Sequence, residues 1–315
     1  MNPEYVIALT DPQATLAVAG GKGASLARLS AAGLPVPGGF HVTTTPYRQF
    51  VAENNLQPRI LAALEAVDVA QPSTLETASR AIQALFSQAH VPPAIAGTIA
   101  HACADLPGDE PAVAVRSSAT AEDLPDLSFA GQQETYLNVR GAAAVLDAVK
   151  RCWASLWTAR AIGYRTRNSI SSADGALAVV VQKMIASEVS GVLFTVNPVT
   201  GVRDEIVIEA SWSLGEAVVS GQVDPDNFVV DTRAWRITER IIGSKSLAII
   251  PREGGGTVQV ARDATQRQAL PDAQIVELAR LAQCVAEHFG LPQDVEWAWA
   301  NQQFYILQSR PVTTL

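Results

Sequence analysis

The sequence predicts a mixed α/β protein built from two lobes. A length of 315 residues is about twice that of a usual single domain, which favours two lobes over one core. Residues 6–50 read in turn as strand, helix, strand and helix. Near the other end, residues 294–308 alternate apolar and polar side chains around a short polar turn, which is the pattern of a β-hairpin.

The first elements are placed by glycine, proline and the spacing of apolar residues. Gly20–Gly23 opens a helical stretch, and Gly33 is suited to end it because glycine readily adopts the left-handed conformation. Thr45 and Pro46 have the chemistry of an N-cap and of the first residue of the next helix. The expected order is a strand at Val6–Leu9, a helix at Ala24–Ala32, a strand at Phe40–Thr43 and a helix from Tyr47.

The middle of the chain is expected to form scaffold helices and two buried strands. Residues 58–104 have Ala-rich helical spacing, broken at Pro72 and at Pro92–Pro93. One long helix is expected over Asp147–Arg167, with its large apolar side chains on one side. Short apolar runs predict strands at Ala112–Val115 and Ala176–Met184.

The last third of the chain combines strands with one amphipathic helix. The helix is predicted over Asp272–Phe289 and ends at Gly290. In the hairpin, Ala300 is expected to face Phe304, and counting back then puts Glu296 opposite Gln308. Further strands are expected at Gly191–Val196, at Glu205–Glu209 and within 228–250, and the lobes are placed at roughly 1–200 and 201–315.

Composition and charge argue against several classes of protein. The chain is 48% hydrophobic and 17% charged, which is ordinary for a globular protein. A net charge of −8 without a dense Lys/Arg stripe argues against a nucleic-acid partner. No apolar run is long enough for a membrane span and the start lacks a signal peptide's basic region, so we expect no membrane partner and a cytoplasmic location. Three cysteines in no C-x-x-C pattern fit a reducing compartment.

The Gly20–Gly23 run is the first candidate for chemistry. Its flexible backbone, exposed N–H groups and the Lys22 ammonium beside a helix start suit an anionic phosphate. It is not a Walker A loop, because the first glycine of that motif would fall on Leu16 and its Ser/Thr on Gly23. An ordinary glycine turn with a solvated lysine is the alternative.

A second group of candidates surrounds a buried strand. Arg116 follows that strand, so its guanidinium is expected at the carboxyl end, where α/β sheets bind ligands. An ion pair with Glu122 or Asp123 is the alternative. Gly131 would let a loop approach phosphates and Thr135 would supply a hydroxyl, although a turn and a strand start also explain both residues.

The remaining candidates suit a nucleobase and a metal ion. Gln182 ends a buried strand, where its amide and the backbone as far as Met184 suit a purine edge, or where it merely satisfies the strand end. Glu296 and Gln308 make an oxygen-only pair suited to Mg²⁺, with a polar pair on an edge strand as the alternative. Arg310, two residues further on the same face, favours a magnesium-triphosphate site.

Several runs of the sequence resemble the amino-terminal nucleotide-binding domain of phosphoenolpyruvate synthases, pyruvate phosphate dikinases and rifampin phosphotransferases. They occur in the family's order, and the resemblance covers essentially the whole chain. The last run and Leu124–Asp126 look most similar to rifampin phosphotransferases. The runs are Gly20–Leu26, Val113–Asp123, Phe129–Thr135, Asp294–Trp297 and Gln308–Pro311.

The resemblance implies a two-lobed ATP-grasp fold that binds ATP and Mg²⁺ with the nucleotide between the lobes. It implies an ATP-dependent phosphotransferase of the dikinase type, which passes the β-phosphate to a histidine on a swivelling domain and yields AMP and inorganic phosphate. Lys22, Arg116 and Arg310 would be the catalytic charges, and Glu296 and Gln308 would hold the metal. The positions that resemble the family's ATP-binding residues are Lys22, Arg116, Gly131, Thr135, Gln182, Glu296, Gln308 and Arg310.

The resemblance also implies partners. None of the histidines, His41, His90, His101 and His288, lies in the Gly-rich, Thr-containing loop that the family phosphorylates. A swivelling phosphohistidine domain and an acceptor-substrate domain are therefore expected in trans or on the remainder of a longer chain. A subunit of a split synthase acting on pyruvate or a phenol, and a non-catalytic nucleotide-sensing subunit, stay open as alternatives. The complete set of charged site residues favours phosphoryl donation.

Overall fold

The computed structural model describes residues 4–120, 123–124, 127–128, 134–168, 170–171, 175–263 and 266–312. The chain divides into two compact units, Met1–Ala27 with Gly38–Lys183 and Arg28–Pro37 with Met184–Leu315. The first unit ends at Lys183, before the lobe boundary expected near residue 200. The strand that begins at Val189 pairs within the second unit, which explains the earlier boundary.

The first unit mixes helices with one antiparallel sheet of strand order β1-β2-β7-β3-β6. Its elements are β1 (Val6–Ala8), α1 (Leu16–Ala31, which continues into the second unit), β2 (Gly39–Val42), α2 (Thr44–Glu53), α3 (Leu56–Leu64), α4 (Pro72–Gln88), α5 (Pro93–Ala104), β3 (Val113–Ala119), β4 (Asp123–Leu124), β5 (Leu127–Ser128), β6 (Thr135–Val139), α6 (Ala142–Ser155), α7 (Ala159–Arg167) and β7 (Leu177–Lys183).

The core of the first unit lies on one face of this sheet. Alternate residues of the central strands, Val115 on β3 and Val181 on β7 among them, pack there against the helices because side chains of a strand point to opposite faces in turn. Aromatic rings from the helices fill the middle, with the rings of Phe50 and Trp153 centred 5.1 Å apart. The opposite face of β3 therefore carries Arg116 and Ser118, whereas Ser117 shares the face of Val115.

Several predictions for this unit were wrong in detail, including the N-cap at Thr45, since α2 begins at Thr44 after the N-cap Thr43. The single helix predicted over Asp147–Arg167 is two helices, α6 and α7, because Thr158 caps α7 by accepting a hydrogen bond from the Ala161 N–H at 3.2 Å. Helix α1 begins at Leu16, before the glycine run, and is interrupted at Gly20. Strand β3 continues to Ala119, so Arg116 lies inside it.

The second unit contains a six-stranded antiparallel sheet of order β11-β10-β9-β8-β14-β15. Its elements are β8 (Val189–Phe194), β9 (Glu205–Trp212), α8 (Glu216–Val219), β10 (Asp226–Asp231), β11 (Arg236–Ile241), β12 (Leu247–Pro251), β13 (Thr257–Ala261), α9 (Asp272–Phe289), β14 (Gln293–Ala300) and β15 (Gln303–Pro311). Strands β12 and β13 form a separate hairpin.

Helix α9 covers one face of the second sheet and has the bounds predicted for it. Buried residues such as Ile275, Leu278 and Ala282 recur at helical spacing along its inner side. Gly290 ends the helix in the left-handed conformation, with φ of 72°. Among the described residues, every helix is too short or too polar to traverse a lipid bilayer.

The predicted hairpin at the end of the chain is confirmed, with a different turn. Asn301 and Gln302 form a two-residue turn in which both φ angles are positive, 50° and 59°. Ala300 therefore pairs with Gln303 and does not face Phe304. The predicted register was wrong by one residue at the turn.

Candidate functional site

In the first unit, the structure brings three predicted site residues onto one sheet face. Arg116 on β3 pairs with Thr135 on β6 and with Val180 on β7. Gln182, two residues after Val180, lies on the same face and pairs with Ala114. This face is opposite to the helix-packed core. Residues that the sequence separates by up to 66 positions therefore lie on neighbouring strands.

The position of Arg116 corrects its sequence interpretation. The sheet is antiparallel, so it has no common carboxyl edge of the kind that binds ligands in parallel α/β sheets. Arg116 lies in mid-strand and is only 8% exposed. Its placement on a sheet face, rather than at a strand end, brings it beside Thr135. Glu122, the Asp123 side chain and Gly131 lie outside the described residues and side chains.

Gln182 has an unsatisfied hydrogen-bond donor. Its side chain is buried, with 2% exposure, and its Nε2 has no hydrogen-bond partner in the described structure. An unmet donor in a protein interior is unfavourable by about 1–3 kcal/mol, so the Gln182 Nε2 calls for an explanation. A ligand with an acceptor atom fits this position. Met184 is half-buried and is the first residue of the second unit after Lys183.

The Gly20–Gly23 run is packed against the sheet, which corrects the expectation of an exposed glycine loop. The Gly23 N–H donates a hydrogen bond of 3.1 Å to Ser118 Oγ, so it is not open to a ligand. Gly20 and Gly23 are buried, and Lys22 between them is half-buried. Lys22 directly precedes Gly23 in the chain, and Ser118, which binds Gly23, follows Arg116 by two residues on the same sheet face.

In the second unit, Glu296 and Gln308 are cross-strand partners, as predicted. The β14–β15 register shifts by one residue between Glu296 and Trp297, and this bulge compensates for the shorter turn. Gln308 is 7% exposed and Glu296 is half-buried. Two oxygen-bearing side chains thus meet on one face of adjacent strands.

Arg310 has a structural partner that the sequence interpretation did not include. It pairs across the strands with Asp294, and its Nη2 lies 2.7 Å from Asp294 Oδ2. Burial raises the pKa of Asp294, while the Arg310 charge and hydrogen bond oppose that shift and the nearby Glu296 adds to it. The Arg310 side chain is 44% exposed.

Glu209 on β9 extends the same face. It pairs with Val192 on β8, which in turn pairs with Glu296. Burial raises the pKa of Glu209, and the Asp294 carboxylate raises it further. Three carboxylates therefore lie on one face with Gln308 and Arg310.

Sequence reasoning missed Asp294, Glu209 and Ser118. Asp294 stands two residues before Glu296, so period-two spacing alone could have indicated it. Glu209 and Ser118 carry no such local signal, since their roles depend on pairing with distant strands. Within the described ranges, no three His, Cys, Asp or Glu side chains are grouped closely enough to hold a metal ion by themselves.

Comparison with known proteins identifies similar sequences along nearly the whole chain. Residues 16–315 match the family described as "Pyruvate phosphate dikinase, AMP/ATP-binding domain". A "Probable phosphoenolpyruvate synthase" of Methanothermobacter thermautotrophicus is 46% identical over 304 residues, 95% of this chain and 44% of that protein. The "Phosphoenolpyruvate synthase" of Pyrococcus furiosus is 44% identical over 342 residues, 94% of this chain and 42% of that protein.

A "Rifampicin phosphotransferase" of Streptomyces sviceus is also similar, at 46% identity over 319 residues, which cover 100% of this chain and 36% of that protein. Identity therefore does not separate the synthases from the rifampicin enzymes, since both reach 46%. The chain spans less than half the length of each of these relatives.

Proposed function

The chain belongs to the family of the AMP/ATP-binding domain of pyruvate phosphate dikinase, and on this premise we propose that it binds Mg-ATP and donates the β-phosphate to a histidine on a separate swivelling domain. The observation that carries the proposal is the alignment of Arg116, Thr135 and Gln182 on one sheet face, with the Gln182 amide unsatisfied. A nucleotide supplies both anionic oxygens and hydrogen-bond acceptors to such a face.

The cationic residues are assigned to the phosphates. Lys22, Arg116 and Arg310 would neutralise triphosphate charge, which otherwise strongly disfavours burial of the nucleotide. The Thr135 hydroxyl and the backbone at Gly131 would add donors to phosphate oxygens.

The nucleobase is assigned to the end of β7. The Gln182 amide would donate a hydrogen bond to a ring nitrogen of the purine. The backbone from Gln182 to Met184 would form the remaining hydrogen bonds to the purine edge. The orphaned Nε2 supports this assignment because a base acceptor would remove the unfavourable free energy of an unmet donor.

Glu296 and Gln308 would hold the metal ion. Their side chains are cross-strand neighbours, and such an oxygen-bearing pair suits Mg²⁺, a hard ion that takes oxygen ligands and keeps several waters. Bound Mg²⁺ would neutralise part of the charge on the transferring phosphates.

The phosphate acceptor is assigned to a domain outside this chain. His41 is fully buried and its Nε2 lies 3.2 Å from the Leu9 carbonyl oxygen, so it is inaccessible to a phosphoryl group. The relatives are more than twice as long as the matched region, which supports the existence of further domains in proteins of this kind. We propose that the γ-phosphate leaves to water as inorganic phosphate and that AMP remains after the β-phosphate moves to the histidine.

Titration calorimetry with ATP and Mg²⁺ tests the binding part of the proposal. We expect ATP to bind only weakly without Mg²⁺, and Lys22→Ala and Arg116→Ala each to weaken binding. Arg59→Ala, on the distant helix α3, is a matched control for loss of one positive charge. If both site variants bound ATP with unchanged affinity, the nucleotide site would have to lie in another part of the chain.

A further inference from the structure

Helix α1 contains a break that is bridged by a side chain from the sheet. Gly20 has φ of 70° and ψ of 179°, which is not helical. In an unbroken helix the Gly23 N–H would donate to the Ala19 carbonyl four residues earlier. Here Ser118 Oγ accepts from the Gly23 N–H at 3.1 Å and donates to the Ala19 carbonyl at 2.7 Å. The hydroxyl thus takes the place of the missing helical hydrogen bond, since it can donate and accept at once.

The fit around this hydroxyl is tight. A Cβ at Gly20 would collide with the backbone carbonyl and the hydroxyl of Ser118, and the positive φ also excludes most other residues. A Cβ at Gly23 would lie 2.8 Å from the Ala19 Cβ and 3.2 Å from His41 Nδ1. Ser118 itself is fully buried. The glycines thus allow the helix to approach β3 closely enough for one hydroxyl to join both sides of the break.

We propose that Ser118 is a positioning residue of the nucleotide site, which fixes Lys22 relative to Arg116 through this bridge. The inference rests on the proposed ATP-binding function. Lys22 directly precedes Gly23, and Arg116 precedes Ser118 by two residues on the same sheet face. The bridge is therefore a short, buried connection between two cations assigned to the phosphates. A misplaced cation would lose a large part of its interaction with a triphosphate, because charge-assisted hydrogen bonds need close geometry.

Substitution of Ser118 tests the inference through its coupling to Lys22. Ser118→Ala removes both hydrogen bonds at little change in volume, and we expect it to weaken Mg-ATP binding about tenfold, as for loss of one charge-assisted contact. In a Lys22→Met background the same substitution should change the affinity less than about twofold, since the side chain that it positions is gone. Ser118→Cys, with a weak donor and acceptor in the same place, should lie between the wild type and Ser118→Ala.

A matched control separates positioning from loss of stability. Ser155 is also buried, and its hydroxyl donates a hydrogen bond of 2.7 Å to the Cys152 carbonyl inside α6. Ser155→Ala should lower the melting temperature comparably and leave Mg-ATP affinity unchanged. The affinities are measured by titration calorimetry well below the melting temperature of every variant.

The possible results distinguish a failure of the Ser118 positioning role from a failure of the proposed ATP-binding function. Wild-type affinity in Ser118→Ala would overturn the positioning role, and so would an equal loss with and without the Lys22 side chain. If the wild-type chain bound no ATP under any condition, the proposed function would fail and the role of Ser118 would fail with it. If the wild type binds and only the coupling is missing, the proposed function stands without this inference.

Discussion

Asp294 and Arg310 form an ion pair across the last two strands, with Nε and Nη2 of Arg310 at 2.8 Å and 2.7 Å from the same Asp294 carboxylate oxygen. The Asp294 side chain is mostly buried, whereas the Arg310 side chain is 44% exposed. The ion pair therefore limits the positions that the guanidinium can take.

We predict that Arg310→Met weakens Mg-ATP binding by at least about tenfold, since a charge-assisted hydrogen bond contributes about 1.5–3 kcal/mol. The variant also leaves Asp294 without its cation, which raises the pKa of that carboxyl further. Titration calorimetry measures the affinity. Arg233→Met is the control, because Arg233 forms an exposed ion pair with Asp204 on the same sheet's loops. Equal affinities of wild type and Arg310→Met would remove Arg310 from the site.

We predict that Glu209→Gln stabilises the metal-free protein near pH 7. Burial and the Asp294 carboxylate raise the pKa of Glu209, so the folded state binds its proton more tightly than the unfolded state does. The protonated Glu209 contributes its full stabilisation below the pKa that it has in the unfolded state. This contribution is lost as the pH rises through the higher pKa that it has in the folded state. Urea unfolding at pH 5 and pH 7 should therefore show a smaller pH-dependent loss in Glu209→Gln than in the wild type.

The control for Glu209 is Glu239→Gln, the same change at an exposed residue of β11. It should leave the pH dependence of unfolding unaltered. If the stability of Glu209→Gln depended on pH as that of the wild type does, the prediction would be wrong. The Glu209 carboxylate would then be stabilised in its charged form in the folded protein.

We predict that Glu296→Gln keeps the fold and weakens the Mg²⁺ dependence of ATP binding. The substitution preserves shape and one oxygen but removes one negative charge from the metal pair with Gln308. The measurement is the Mg²⁺ concentration at half-maximal ATP binding, which should rise. Glu239→Gln again serves as the control for charge. An unchanged Mg²⁺ titration in Glu296→Gln would contradict the assignment of this residue to the metal.

We predict an acid-sensitive step in stability that depends on His41. Burial lowers the pKa of His41 to about 4, with a smaller opposing effect of its hydrogen bond to Leu9. The unfolded state takes up a proton at higher pH, so stability falls as pH drops from about 6.5 to about 4, by about 3 kcal/mol. Unfolding free energies across this range should show a weaker pH dependence in His41→Gln. His101→Gln, at an exposed residue of α5, should behave like the wild type.

Much of the fold follows from local patterns. Gly290 and the helical spacing before it fix the end of α9, and alternation around Asn301–Gln302 gives the hairpin. The pairing of Glu296 with Gln308 was predicted from a turn that is one residue too long. The prediction is nevertheless right, because the bulge between Glu296 and Trp297 shifts the register by one residue. Local sequence gives no sign of that bulge because it depends on how both strands fit the sheet.

Other features need contacts between distant parts of the chain. The fully buried ion pair between Lys245 and Asp226 joins residues that sequence gives no reason to pair. The bridge from Ser118 to Ala19 and Gly23 spans nearly one hundred positions, with sequence separations of 99 and 95. Periodicity reports which residues share a face, but it does not report which strands become neighbours. The strand order of the first sheet, which places Thr135 beside Arg116, is a choice of neighbouring strands and so could not be predicted from periodicity.

A phosphoryl donor that lacks its acceptor differs from a self-sufficient kinase in how fast it turns over bound ATP. We predict that this chain alone binds Mg-ATP and turns it over very slowly, because phosphoryl transfer depends mainly on positioning and charge, and water is poorly placed at a site aligned for an imidazole. A swivelling domain from a phosphoenolpyruvate synthase, added in trans, should acquire an acid-labile, base-stable phosphohistidine.

One AMP should form for each phosphohistidine, and AMP should accumulate beyond that amount only once the matching acceptor domain is also supplied, with pyruvate and rifampicin tested in parallel. A swivelling domain in which the histidine is replaced by alanine is the control and should remain unlabelled. Lys22→Ala should reduce labelling of the intact swivelling domain, because Lys22 is assigned to the phosphates. Rapid production of ADP by the isolated chain with pyruvate, rifampicin or a phenol would contradict the proposal, since an acceptor site would then lie within these 315 residues.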